Sequence, residues 1–386
     1  MDLDEELQAR LLELERTHRR RRLRPMAHGA HVEVGGRRLL NLSSNDYLGF
    51  AAHPPDGLPE VSPGVAASRL ITGSDPEHAH AEEALAAYVG CDAARLFSSG
   101  YAANVGTIPA LVGRGDVIFS DALNHASLID GCRLSRARIV RVPHGDVGAL
   151  GEALEEHRAQ GRHALIVTDA LFSMDGDVAD LPAIAALARR HDAWWMVDEA
   201  HSLGLLGHEG RGLAHGLPRA LRPDVRIGTL GKSFGLHGAF VAGSAALADW
   251  LTQRARSFVF STGVSRTLAA ALPRRTERVR AAEHERRRAL SLAQRLAAGL
   301  KDQGWRVGAP AGAIVPLHVG SDDAVLALGA RLERAGVLGQ PIRPPTVPPG
   351  TARIRLTCTG AHDAADIDGA LRAFASLRPP QRAEAP

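Results

Sequence analysis

Only two of the 46 Lys and Arg residues in this 386-residue chain are lysines, Lys232 and Lys301. A lysine amine can lose its proton and attack a carbonyl; a guanidinium stays charged and cannot form a Schiff base. Lys301 sits in Leu300-Lys301-Asp302-Gln303-Gly304, which reads as the polar end of a helix before a glycine stop. Lys232 sits in Thr229-Leu230-Gly231-Lys232-Ser233-Phe234-Gly235, between small residues just past an apolar run. Partial desolvation there lowers an amine's pKa toward reactivity. A second cluster is Trp194-Trp195-Met196-Val197-Asp198-Glu199-Ala200-His201, an apolar strand ending in a carboxylate with a histidine three residues on. A buried carboxylate is costly without a positive partner, and a protonated pyridine nitrogen is one such partner. Taken alone, Asp198-x-x-His201 fits a metal pair or a helix cap equally well. With a strand-end lysine 34 residues downstream, the set becomes specific for pyridoxal 5′-phosphate (PLP), an electron-sink cofactor whose ring oxygen His201 could reach.

Three more clusters follow apolar runs. Ser98-Ser99-Gly100-Tyr101-Ala102-Ala103-Asn104 has the small residues that let backbone amides approach a phosphate at a helix start. Asp121-Ala122-Leu123-Asn124-His125-Ala126-Ser127 places an imidazole where it could stack on a cofactor ring; in isolation such a histidine is more often structural. Thr168-Asp169-Ala170-Leu171-Phe172-Ser173-Met174-Asp175-Gly176-Asp177 offers the Ser173 hydroxyl to a ring substituent, with Asp175-Gly176 as a tight turn; in isolation it reads as a plain loop.

Positioning these groups requires a regular scaffold. From about residue 85, short apolar runs recur at 95–97, 117–119, 139–142, 165–167, 194–197, 227–230 and 239–242, with helical stretches such as Leu181–Arg190 between several of them. Continuous apolar strands separated by helices predict a mainly parallel sheet covered on both faces, with ligands gathered at the carboxyl ends of its strands. Beyond residue 265 the pattern changes: a long Arg- and Ala-rich helical stretch to about Leu300, strands at Ile314–Val319 and Arg353–Thr357, and helices at 322–335 and 363–374. The expected organisation is an N-terminal helix and arm (1–45), a large cofactor-binding domain (46–265) and a smaller α+β domain (266–386). Leu3, Leu7, Leu11 and Leu14 predict a helix over 2–23 that ends in His18-Arg19-Arg20-Arg21-Arg22-Leu23-Arg24 before Pro25. That basic run reads as a solvated face or as an arm reaching an anionic ligand.

Composition bounds the remaining classes. The net charge is +3 with 45% apolar residues, which suits a large core. The pI near 9.0 reflects arginine standing in for lysine and is weak support for nucleic-acid binding. Cys91, Cys132 and Cys358 have no metal-ligand spacing and read as free thiols of a cytoplasmic protein. The acidic opening lacks an apolar signal region, and no run is long enough to span a membrane.

Taken in order, these motifs give a family resemblance. The chain resembles the α-oxoamine synthases, fold-type I PLP-dependent transferases, from about Arg21 to Asp368. The resemblance rests on Asn41-Leu42-Ser43-Ser44-Asn45-Asp46-Tyr47-Leu48-Gly49, Ser99–Asn104, Asn124–Ser127, Phe172–Asp177, Asp198-Glu199-Ala200-His201, Gly231-Lys232 and Ile342-Arg343-Pro344-Pro345-Thr346-Val347-Pro348. It implies an α/β large domain, a small α+β domain and a homodimer. Lys232 would carry the cofactor and later move a proton, Asp198 would pair with the pyridinium nitrogen, and His201 and Ser173 would contact the ring oxygen. His125 would stack on the ring, Gly100 and Tyr101 would lie against the cofactor, and Thr229 would meet its phosphate. Arg343 would grip the amino-acid carboxylate, while Arg21, Asn45, His125 and Thr346 would line the substrate site. Within the family the Ile342–Pro348 block points to the branch that condenses L-alanine with a pimeloyl thioester of coenzyme A or a carrier protein, with loss of CO2, for biotin. The nearest rival is a relative using glycine or serine with another acyl thioester. A rival of another class is a nucleic-acid-binding regulator on the same fold, against which the intact Lys232, Asp198 and His201 set argues.

Overall fold

The apolar runs become strands of one seven-stranded sheet in the structure, a computed structural model that describes residues 2–53 and 61–377. Across the sheet the order is Ala93–Phe97, Ala239–Gly243, Val225–Thr229, Trp194–Asp198, Ala164–Asp169, Val117–Asp121 and Arg138–Val142. Neighbours from Val225–Thr229 to Arg138–Val142 pair in parallel, and Ala239–Gly243 runs antiparallel to both of its neighbours. The sheet is therefore mainly parallel, with one reversed strand. Both faces are covered: all six residues of Ala164–Asp169 are buried, as expected for a strand that helices flank on either side.

The helices follow from local chemistry. Leu181–Arg190 forms over the expected residues, with Asp180 accepting from the Ala183 N–H as its cap, proline in the first turn, and Leu181, Ile184, Ala185 and Ala188 buried on one face. Gly100–Leu111 starts at Ser99, whose hydroxyl oxygen accepts from Ala102 N–H, and Ala126–Ser135 starts at His125. Both begin just after a strand, so their positive ends face the carboxyl edge of the sheet. That edge is level: Asp169 pairs in register with Asp198, and Asp198 with Ile227. The chain leaves Val117–Asp121 toward Arg138–Val142 on one side and returns to Ala164–Asp169 on the other, so a topological switch point opens beside Asn124 and Asp169.

A smaller antiparallel sheet of Ile314–Gly320, Ala352–Thr357 and Gln340–Ile342 packs with the helices Glu283–Asp302, Asp322–Arg334 and Ala364–Ala375 around Leu296, Leu300, Trp305, Val325, Leu356 and Phe374. Two expectations change. The first helix covers Leu3–Arg16 and not the expected 2–23. Thr17 caps it, His18 takes the left-handed conformation (φ 53°), and Arg343 donates to the His18 carbonyl, turning the arginine run into an extended arm. The long helical stretch after residue 265 breaks at Ala282 into Arg266–Ala281 and Glu283–Asp302. Arg286 fills the break by donating to the Val279 and Arg280 carbonyls that the break frees.

Under the sheet's carboxyl edge, Glu199 and Arg226 are each 1% exposed. Arg226 Nε donates to Glu199 Oε2 at 2.8 Å, and its other nitrogens donate to the Val89 and Arg211 carbonyls. Glu199 Oε1 also accepts from Ala214 N–H at 3.0 Å and from the Ser202 hydroxyl at 3.2 Å. The pair fixes the turn between Asp198 and His201. Removing one partner leaves a buried charge uncompensated, so Arg226→Leu should cost about 3–5 kcal/mol. Urea denaturation of the two proteins would measure the loss, and a cost below about 1 kcal/mol would show the pair to be dispensable.

Candidate active site

Asp198 ends its strand buried. Its Oδ1 accepts from Ala200 N–H at 2.8 Å and its Oδ2 from Asn104 Nδ2 at 2.7 Å. Asn104 Nδ2 donates also to Ser127 Oγ at 2.9 Å, and Ser127 Oγ lies 2.7 Å from His125 Nδ1. One polar chain thus joins His125 to Asp198 through two residues to which the sequence reading gave no role. Asn104 ends the Ser99–Asn104 motif, and its place at the start of the second turn of the Gly100–Leu111 helix brings its amide to Asp198. Beside Asp198, Asp169 accepts from His125 N–H at 2.8 Å. Burial, reinforced by the neighbouring Asp198 carboxylate, pushes the Asp169 carboxyl well above the usual range.

Lys232 follows the Val225–Thr229 strand in a turn closed by a Gly235 N–H to Lys232 carbonyl bond. Burial lowers its pKa to about 8, against the opposing pull of the Asp198 and Asp169 carboxylates. His201 is buried and held well below its ordinary pKa by burial and by the positive charges of Lys232 and Arg355; it is a neutral imidazole. His125 is also lowered, chiefly by burial. Thr229 Oγ1 lies 3.3 Å from the Gly238 carbonyl. A Cβ at Gly100 would come within 4.0 Å of Thr229 Oγ1, so the helix start opens onto that hydroxyl as a small cradle for an anion. Tyr101 is half exposed, and its hydroxyl donates to Asp130 Oδ2.

The loop that carries Ser173 is anchored from two directions. Arg355 Nε donates to the Ser173 carbonyl at 2.5 Å, and Arg353 pairs with Asp175. Both arginines come from the Ala352–Thr357 strand of the small sheet. On the other side, His144 Nδ1 contacts Asp121 Oδ1 at 3.0 Å and Nε2 contacts Asp177 Oδ2 at 2.9 Å, with its ring edge-on to Phe172. These two carboxylates raise the His144 pKa to about 10.

The expected substrate residues lie farther out. Ser173, Asn124 and Thr346 line a cavity of about 660 Å³ together with Arg19 and Arg141. It adjoins a larger groove of about 1260 Å³ between the arginine arm and Gln340–Thr346, which brings Arg21, Arg343 and Thr346 together. Asn45 lies two residues before the buried Tyr47, and its Oδ1 is buried with no hydrogen-bond partner among the described residues. Arg20 and Arg22 pair with Glu15, and Arg24 with Glu333. Arg343 sits at the outer groove, whereas the charge of Arg355 reaches Lys232 and His201. Sequence reading missed Arg355 because an arginine within an apolar strand carries no motif of its own.

The side chains fit PLP. An amine of lowered pKa, a buried carboxylate for a pyridinium, a neutral imidazole for a ring oxygen and the cradle at Gly100 and Thr229 all face one edge of the sheet. Among the described residues no His, Cys, Asp and Glu group could hold a metal ion, no helix is long and apolar enough to cross a membrane, and the three cysteines are free.

The family model described as aminotransferase class I and II matches residues 37–374. An 8-amino-7-oxononanoate synthase 1 of Polaromonas sp. is 47% identical over 97% of this chain and 96% of its own length. An 8-amino-7-oxononanoate synthase of Anaeromyxobacter dehalogenans is 48% identical over 93% of this chain and 92% of its own. Among solved structures, a serine palmitoyltransferase variant from S. paucimobilis with a bound PLP–myriocin aldimine superposes with a TM-score of 0.90 at 28% identity, covering 97% of this chain and 98% of that one.

Two measurements follow from the geometry. Schiff-base formation needs a neutral amine, so with Lys232 as the attachment point the rate of PLP capture by the apoprotein should rise about tenfold per pH unit up to pH 8 and level above it. Stopped-flow absorbance would show this, and Lys232→Ala should show no capture at any pH. His144 is raised in the folded protein from 6.5 to about 10, so its contribution is fully present below about pH 6.5 and is lost as the pH rises through 10. His144→Ala should therefore cost about 2 kcal/mol at pH 6 and far less at pH 10.5, measured by urea unfolding at both pH values.

Proposed function

The chain belongs to the 8-amino-7-oxononanoate synthase family of PLP-dependent enzymes, and we propose that it condenses L-alanine with a pimeloyl thioester. The products would be 8-amino-7-oxononanoate, CO2 and the free thiol of coenzyme A or a carrier protein, in the biosynthesis of biotin. The observation that carries this is the convergence of Lys232, Asp198, His201 and His125 on one strand edge in a chain about 47% identical, over nearly its full length, to proteins of that name.

When bound, PLP supplies an electron sink for negative charge developing at the amino-acid Cα. Lys232 would hold the cofactor and, once released, take and return the alanine Cα proton; its low pKa suits both tasks at neutral pH. Asp198, steadied by Asn104 and the Ala200 N–H, would hold the proton on the pyridine nitrogen. His201 and Ser173 would meet the ring oxygen, and His125, held through Asp169 and Ser127, would cover the ring face. Gly100, Tyr101 and Thr229 would take the phosphate end.

Two guanidiniums are available to the alanine carboxylate. Arg343 was the expected one, but Arg355 lies closer to the reacting centre. Arg343, Arg21 and Thr346, which line the outer groove, then suit the acyl chain and its approach, and Asn45 would line the substrate site farther in. We further propose a cytoplasmic homodimer, in which a partner subunit would cover the exposed leucines of Leu3–Arg16.

Mass spectrometry of products from alanine, glycine or serine with a panel of acyl thioesters tests the reaction. Alanine with pimeloyl thioester should dominate, and a preference for glycine or serine would sink the biotin assignment. Arg355→Leu should raise the alanine KM at least tenfold, and Arg343→Leu should act mainly on the thioester KM.

A further inference from the structure

Tyr47, within Asn45-Asp46-Tyr47-Leu48-Gly49, is fully buried, and its hydroxyl lies 2.5 Å from His201 Nδ1. The same oxygen is 3.4 Å from Arg355 Nη2. A guanidinium only donates, so Arg355 engages a lone pair of the phenol and leaves the phenolic proton for the imidazole. Burial raises the Tyr47 pKa, so that proton stays in place. His201 is neutral and carries a single N–H. With Nδ1 accepting from Tyr47, that N–H lies on Nε2. The phenol ring itself is fixed by packing with Leu205, Ala289, Ala313 and Ile314, and Gly360 N–H donates to the Tyr47 carbonyl at 2.8 Å.

We infer that Tyr47 is a positioning residue that locks His201 in the Nε2–H tautomer, making the imidazole a donor toward the phenolic oxygen of the PLP ring. The inference rests on His201 being a ring contact. It also ties the cofactor to the small sheet, because Arg355 comes from the Ala352–Thr357 strand and grips both Tyr47 and the Ser173 carbonyl. Without Tyr47 the imidazole is free to carry its proton on Nδ1, where Nε2 would present a lone pair to an oxygen that also bears lone pairs.

The test is carried out on the full-length holoenzyme, 15N-labelled at histidine. The wild-type protein should show His201 with a protonated Nε2 and a bare Nδ1; in Tyr47→Phe, which keeps the ring and its packing, the two signals should converge. Tyr47→Phe should bind PLP more weakly, with its dissociation constant raised about tenfold. In His201→Gln, which has no tautomer to select, adding Tyr47→Phe should have no further effect on PLP affinity, a non-additivity that a packing role would not produce. Retention of the Nε2–H form in Tyr47→Phe, or an equal loss of affinity in both backgrounds, would overturn the inference. If the tautomer shifts while PLP affinity holds in both Tyr47→Phe and His201→Gln, the tautomer assignment stands and the reading of His201 as a ring contact fails.

Discussion

Two carboxylates, Asp169 and Asp198, end adjacent parallel strands in register, and most of the site is arranged around that fact. Like charges buried side by side repel strongly in a medium of low polarizability. Here the burden is divided. Asp169 takes an N–H from His125 and is pushed toward its neutral form, while Asp198 collects two donors and has Lys232 as its nearby cation. Lys232 is in turn depressed by burial to a pKa where amine and ammonium are both accessible near neutrality. Acid–base poise at the lysine and the fixed charge at Asp198, which we propose faces the pyridinium, are two outcomes of one electrostatic arrangement.

The arginine-rich composition serves this arrangement. Arg226, Arg286, Arg353 and Arg355 are almost completely buried, and each spends its donors on carbonyl, carboxylate or hydroxyl oxygens. A guanidinium offers five donors and holds its charge at any pH the protein meets, so it can brace a site without becoming a second reactive amine. Lysine in those positions would be prone to deprotonate and would compete for a carbonyl cofactor.

The small sheet contributes to the chemistry from a distance. Arg353 and Arg355, two residues apart on one strand and so on one face, reach the loop of Ser173 and the phenol of Tyr47. His144 holds the same loop from the opposite side through a charged bridge. The side of the site proposed to meet the ring oxygen is thereby built from three separated parts of the chain, and shifting the small sheet would move it.

The cofactor class and the strand-and-helix alternation were legible in the sequence alone, and so were Lys232, Asp198, His201 and His125 as the candidates for the site. Those signals are local: apolar runs of strand length, helical stretches between them, and reactive side chains placed directly after strands. Leu181–Arg190 came out residue for residue because its cap, its proline and its apolar face all agree. The N-terminal helix came out too long, because periodicity could not register the captured His18 carbonyl. Asn104, Asp169, Tyr47 and Arg355 became legible only in three dimensions. Their roles depend on which strands lie side by side, on a register that levels Asp169 with Asp198, and on a strand of the second sheet that begins 120 residues downstream of Lys232. Strand order and register are set by the packing of whole faces, a non-local balance that no short stretch of the chain encodes.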